Sequence, residues 1–175
     1  DAIANTPKVC NSIHLPLQSG SDRILKAMNR PYTAEQYMRI VNRLKEKCGE
    51  IAFSTDIIVG FPGETDEQFQ KLYDFIGEYK LNYAGFFAYS KEDGTAAAKL
   101  KNQIPQAVKN KRLKNITALQ SKVIFENNKN YVGKSLKVLY EGIDYDNNIF
   151  YGRPEFCAPE VDAKVLFSSD YLVNV

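Results

Sequence analysis

Two hydrophobic periods alternate along the first hundred residues. Residues 51–59 are apolar on both alternating faces apart from Ser54, Thr55 and Asp56. That is the pattern of a strand covered on both sides, as in a parallel sheet or barrel. Residues 11–17 read as a short strand carrying Ile13, Leu15 and Leu17, broken by Pro16, and residues 83–88 as a third. Between them apolar residues recur at helical spacing. Ile24, Leu25 and Met28 do so within 22–29, Tyr37, Ile40, Val41 and Leu44 after Thr33, and Phe69, Leu72, Tyr73 and Ile76 after Thr65. The order strand, helices, strand, helix, strand predicts parallel βα units.

The residues between these segments supply starts and stops. Gln18 to Ser21 form a polar turn with Ser21 as N-cap. Thr33 with Gln36, and Thr65 with Gln68, have the spacing of capping boxes, and Gly49 suits a C-cap. Gly60 ends the central strand where a side chain would hold a ligand away from the backbone. Pro62 and Gly63 suit the two central positions of a type II turn. In α/β folds, ligands bind at such strand ends. Three strands do not close a barrel, and alone they leave apolar edges open. The expectation is therefore a fragment, with further strands upstream of Asp1.

Beyond a polar loop at 89–104, Pro105 suits the first turn of a helix reaching about Asn130. Val108, Leu113, Ile116, Leu119 and Val123 are expected inward, and Lys109, Lys111, Arg112 and Lys114 outward. Composition changes at Val132 and Gly133. Residues 135–141, 149–153, 163–167 and 171–175 then read as short strands, with a turn at Asp146, Asn147 and Asn148. This is a small all-β barrel, expected to be cut off in its last strands at Val175. Residues 1–104, 105–131 and 132–175 are the expected divisions.

Charge sharpens these divisions. Residues 1–100 carry 12 basic and 13 acidic side chains, hence −1; residues 101–134 eight and one, hence +7; residues 135–175 three and seven, hence −4. A body, a basic connector and an acidic module follow. No apolar run approaches the roughly 18 residues of a membrane span, and the N-terminus lacks the features of a signal peptide. Three widely separated cysteines, Cys10, Cys48 and Cys157, make no disulfide framework. A cytoplasmic setting is expected.

Several stretches together carry a family pattern: residues 14–22, residues 28–30, residues 55–65, and the loop from Tyr89 and Ser90 through Gly94 and Thr95 to Ala97 and Ala98. They resemble the radical S-adenosylmethionine methylthiotransferases, and the basic helix and terminal module resemble that family's linker and TRAM domain. The fold implied is α/β: part of a (βα) radical SAM TIM-type barrel, followed by a small OB-like TRAM barrel, both truncated. The resemblance implies S-adenosylmethionine and two 4Fe–4S clusters in the parent protein, which replaces a C–H bond with C–SCH3 through a 5′-deoxyadenosyl radical. The cluster cysteines are expected outside this sequence, because Cys10, Cys48 and Cys157 match no ligand spacing. No catalytic residue or metal ligand is assigned within the chain, which is expected to be inactive alone.

Cofactor contacts follow residue by residue. Gly60, Phe61, Pro62 and Gly63 resemble the backbone segment beside the adenine, and Tyr89 ends the last strand where the family also contacts it. Gln18 and Ser19 are candidates for the ribose or methionine part, with a plain helix-capping turn as the alternative. Asp56, a carboxylate within an apolar strand, is costly unless paired. It faces either the cofactor or a structural arginine or lysine. Phe87 and His14 are expected in the core. Arg30 is either near the cofactor carboxylate or a solvated helix-end charge.

Two branches of the family compete. His14 and the run from Gln18 to Ser21 look like the tRNA-modifying MiaB branch. Residues 92–95, and Gly152 and Arg153 followed by residues 158–162, resemble RimO, which modifies an aspartate of a small-subunit ribosomal protein. An acidic terminal module suits a basic ribosomal protein better than tRNA phosphates, so RimO is the expectation. A module that binds RNA or ribosomal protein without catalysis is the alternative of another class. A metabolic half-barrel with a phosphate loop is disfavoured, because Gly63 is followed directly by Glu64 and Thr65 and not by lysine with serine or threonine.

Overall fold

The computed structural model describes residues 1–169. Strands β1 (Ser12–His14), β2 (Ala52–Val59) and β3 (Tyr83–Ala88) form a sheet in that order, with both pairs parallel. Helices α1 (Asp22–Ala27) and α2 (Ala34–Cys48) connect β1 to β2, and α3 (Asp66–Tyr79) connects β2 to β3. β1 is shorter than its apolar run. Pro16 has no N–H to give the ladder, and pairing resumes only at Gln18, which bridges Ile57.

Both capping boxes form, at Thr33 with Gln36 and at Thr65 with Gln68. Ser21 is at the N-cap of α1, but its side chain makes no capping bond. The Asp22 carboxylate instead accepts from the Ala34 N–H, fixing the start of α2 to α1.

The central strand is covered on one face, not two. Phe53, Thr55, Ile57 and Val59 are buried, and the apolar ones among them pack with Tyr37, Val41, Leu72, Ile76 and Ile116 from α2, α3 and α4. Each such side chain, fully buried, stabilises the fold by about 1.5–3 kcal/mol. Ser54, Asp56 and Ile58, on the alternate face, stay half-buried. On α3 the buried apolar residues are Leu72, Phe75 and Ile76, while Phe69 and Tyr73 are half-buried at the rim.

A single turn of 3-10 helix, Ala97–Lys99, interrupts the loop before α4 (Gln106–Lys129). Pro105 takes the N-cap position. The inward stripe of α4 is Lys109, Arg112, Ile116, Gln120 and Val123. Val108, Leu113 and Leu119 are only half-buried. Expecting Lys109 and Arg112 outward was therefore wrong, whereas Lys111 and Lys114 are exposed.

A second sheet has the antiparallel order β4 (Val138–Asp144), β5 (Ile149–Pro154), β6 (Val165–Phe167). β4 starts and ends three residues later than expected. Its first pair is Val138 with Pro154, where β5 runs out of N–H donors. At the other end the Asp144 carboxylate accepts from the N–H groups of Asp146 and Asn147 and closes the hairpin. Phe150 stacks on Phe167 and meets Tyr140 edge-on. The Tyr83 hydroxyl meets the Cys157 thiol at 3.1 Å, joining the two sheets. The strand expected at 171–175 lies outside the described residues.

Candidate cofactor site

The site is built where β2 ends. Gly60 has φ +73°, and its N–H donates to Glu64 Oε2 at 2.8 Å. The Glu64 N–H returns to the Phe61 carbonyl at 2.9 Å, closing the type II turn over Pro62 and Gly63, whose φ is +84°. Glu64 is buried. Arg112 reaches it from α4: Nη1 donates to Glu64 Oε2 at 2.7 Å and to its carbonyl at 3.2 Å, and Nη2 to Asp66 Oδ1 at 2.7 Å. Burial pushes the Glu64 carboxyl up, with the Gly60 N–H and Arg112 pulling the other way. The same guanidinium holds exposed Asp66 below the usual carboxylate range.

Lys109 is the second cation in this cluster. Its Nζ donates to the Tyr89 carbonyl at 2.7 Å and lies 5.7 Å from the centre of the Tyr89 ring. Its stem crosses Gly60 so closely that a Cβ there would lie 2.3 Å from Lys109 Cγ. The need for glycine at 60 thus comes from the backbone turn and from Lys109. Charge was mistaken for exposure in the sequence, although spacings of three and four residues from Ile116 through Arg112 to Lys109 mark one helix face.

The other predicted contacts converge on the same strand ends. Gln18, with φ +71°, donates its N–H to the Asp56 carbonyl and accepts at its own carbonyl from Ile58. The Tyr89 N–H donates to the Val59 carbonyl at 2.9 Å. Phe61 and Tyr89 pack edge to face, centroids 5.3 Å apart, with Ile24 against them and Met28, Ile58 and Ala97 around. Pro62 is buried beside them. Within this apolar nest the Tyr89 hydroxyl is buried with no hydrogen-bond partner among the described residues. Leaving it so costs about 1–3 kcal/mol. An aromatic shelf bearing an unsatisfied hydroxyl at a glycine bend fits a nucleoside-bearing ligand.

Ser19 follows its alternative, while Asp56, His14 and Phe87 stand differently from expectation. The Ser19 hydroxyl is buried and accepts from the Ser21 N–H, so it serves the turn. The partner of Asp56 is neither arginine nor lysine: Asp56 Oδ2 lies 3.4 Å from His14 Nε2 on the adjacent strand. His14 is no core residue but half-exposed, its Nδ1 2.9 Å from the Ser54 hydroxyl. Phe87 is 55% exposed on the uncovered face, not packed in the core. Arg30 is exposed. Among the described residues no three His, Cys, Asp or Glu side chains are grouped to hold a metal ion, and Cys10, Cys48 and Cys157 are free thiols. The orphaned Tyr89 hydroxyl and the Phe61 ring beside it are chemically suited to the nucleoside of S-adenosylmethionine.

A parallel three-stranded α/β unit with a glycine bend at its central strand end, joined by a long helix to an antiparallel module, defines the class: a radical SAM protein with a TRAM domain. Residues 1–76 match the Radical SAM superfamily and residues 132–175 the TRAM domain. The chain shares its fold with the archaeal Methanocaldococcus infernus Elp3 with an N-terminal deletion. That match has a TM-score of 0.52 at 14% identity and covers 86% of this chain and 53% of that one.

Relatives by sequence fall in two groups. The tRNA-2-methylthio-N(6)-dimethylallyladenosine synthase of Caldicellulosiruptor saccharolyticus is 45% identical over 152 residues, 87% of this chain and 32% of its own. The ribosomal protein uS12 methylthiotransferase RimO of Acetivibrio thermocellus is 41% identical over 167 residues, 95% of this chain and 37% of its own. The RimO of Clostridium botulinum (strain Okra) is 39% identical over all 175 residues and 39% of its own length. The chain belongs to the radical SAM methylthiotransferase family and spans about a third of the length of these relatives. No helix among the described residues is long and apolar enough to cross a membrane.

Proposed function

We propose that this chain is the part of a RimO-like methylthiotransferase that holds the nucleoside of S-adenosylmethionine and, through its terminal module, meets a basic ribosomal protein in the cytoplasm. The observation that carries the choice is coverage: similarity to ribosomal protein methylthiotransferases runs over all 175 residues, including the terminal module. Structure adds support. Two of the eight basic residues of segment 101–134, Lys109 and Arg112, are buried and engaged within the fold. They are not available to phosphates, and the module at 135–175 is acidic.

When bound, S-adenosylmethionine and its iron–sulfur partners supply the radical and the sulfur. The chain's own residues position and enclose. Phe61 and Tyr89 provide a flat apolar contact and one free hydroxyl for the base. The bend from Gly60 to Gly63 would offer main-chain groups to the base. Gln18, on the neighbouring strand end, would hold the ribose or methionine part. Asp56 and His14, on the uncovered sheet face, supply a polar wall. By this reading the cluster ligands belong to other parts of the parent protein, and the chain on its own does not carry out the reaction.

A second reading is a MiaB-like tRNA enzyme. It is favoured by 45% identity to a tRNA methylthio synthase and by a groove of about 740 Å³ at the opposite end of the sheet, where Lys45, Lys80, Lys134 and Lys137 outnumber Glu50 and Glu155. Mass spectrometry of ribosomal protein and tRNA from cells lacking the parent gene separates the two. Loss of the methylthio mark from the ribosomal protein is the expected result, and loss from tRNA alone would establish the second reading.

A further inference from the structure

Lys109 and Arg112 are one turn apart on α4, both buried, and both spent on the strand ends that form the cofactor shelf. Both terminal nitrogens of Arg112 are engaged within the chain, Nη1 on Glu64 and Nη2 on Asp66, while Nε is buried with no hydrogen-bond partner among the described residues. Glu64 in turn uses the same Oε2 to hold the Gly60 N–H. The chain of contacts is therefore guanidinium, carboxylate, main-chain amide of the bend. Lys109 completes a second tie, from α4 to the Tyr89 carbonyl, and its stem closes the back of Gly60. Lys109 makes no ion pair among the described residues. A buried cation so placed costs desolvation, whereas an apolar residue would pack a helix against a sheet at lower cost. Packing alone does not account for two such cations at one bend.

We propose that Arg112 and Lys109 are positioning residues for S-adenosylmethionine. By this assignment the connector helix, which touches no reacting atom, fixes the separation between the bend at Gly60 and the Tyr89 strand end, and so sets cofactor affinity. The assignment rests on the cofactor reading above and extends it to a helix outside the barrel strands.

The test uses the full-length parent protein with its clusters in place. S-adenosylmethionine binding is measured by calorimetry, and hydrogen exchange is followed in a peptide spanning 57–64. Arg112→Gln is expected to raise the Kd by about tenfold or more, the scale on which small misplacements act at such sites. It should also speed exchange at the Gly60 amide while leaving iron content unchanged. Arg112→Lys, which keeps charge but not the two-armed geometry, should recover part of the affinity. Lys109→Met keeps the stem and removes the ammonium; it should raise the Kd with the bend amide still protected.

A purely structural role predicts lower melting temperatures with unchanged Kd in the folded variants, and that result overturns the proposal. If Arg112→Gln does not fold, Lys109→Met decides: an unchanged Kd refutes the assignment and a raised one supports it. Wild-type protein that fails to bind S-adenosylmethionine overturns the cofactor reading itself. Wild-type binding with indifferent variants overturns only this inference.

Discussion

Arg112 Nη1 and Glu64 Oε2 meet at 2.7 Å with side-chain exposures of 7% and 1%, the most enclosed ion pair among the described residues. Removing one member strands the other in low dielectric. Arg112→Met should therefore lower the unfolding free energy by about 3–5 kcal/mol, measured by urea denaturation of the purified protein. Adding Glu64→Gln, which retains an acceptor for the Gly60 N–H, should return part of that loss. Additive losses in the double variant would show that the pair is not coupled.

Gly60 is fixed by two independent constraints, a φ of +73° and the Lys109 stem. Gly60→Ala should cost about 1–2 kcal/mol for the left-handed backbone alone, and more for the contact with Lys109 Cγ. In a Lys109→Ala background the added cost of Gly60→Ala should shrink towards the backbone part. Thermal unfolding of the four proteins in this cycle checks it.

Thiol reactivity should separate the cysteines. Burial raises the Cys157 thiol above its ordinary value, with the Tyr83 hydroxyl acting against that rise, and burial together with Cys157 pushes the Tyr83 hydroxyl up as well. Cys157 is thus protonated, enclosed and slow, while Cys10 is exposed. Peptide mapping after brief iodoacetamide treatment near neutral pH should find Cys10 modified and Cys157 spared. Equal labelling would mean that the two sheets part readily at Tyr83.

Acid sensitivity should report the β4–β5 hairpin. Asp144 is held below the usual carboxylate range, chiefly by the Asn147 side chain and then by the Asn147 and Asp146 N–H groups. The folded state therefore binds this proton less readily than the unfolded chain. The contribution is complete above the unfolded value of about 4 and is lost as pH falls through the lowered folded value. Asn147→Ala should raise the Asp144 value and flatten the fall in melting temperature over that window. An NMR titration of the Asp144 side chain checks the direction.

Much of the parallel unit was legible because its signals are local. Thr33 with Gln36, Thr65 with Gln68, and Pro62 with Gly63 each act within four residues, and all three appear as expected. The convergence of Gln18, Phe61 and Tyr89 also followed, since parallel strands must end on one side. The failures depend on distant partners. Lys109 and Arg112 look solvated until one knows that a carbonyl and a carboxylate meet them across 20 and 48 residues. Phe87 looks like core until only one sheet face proves covered. The start of β4 could not be placed without knowing that Pro154 lies opposite Val138.

The tie between α4 and the bend has a consequence for biosynthesis. Glu64 emerges from the ribosome 48 residues ahead of Arg112. At about 5–20 residues per second, roughly 2–10 s pass before its counter-charge is made. During that interval the loop at the end of β2 carries a carboxylate that cannot be enclosed without penalty, so the nascent segment should stay open and accessible to protease. Maturation of the ligand cradle is then timed by synthesis of the helix that follows it.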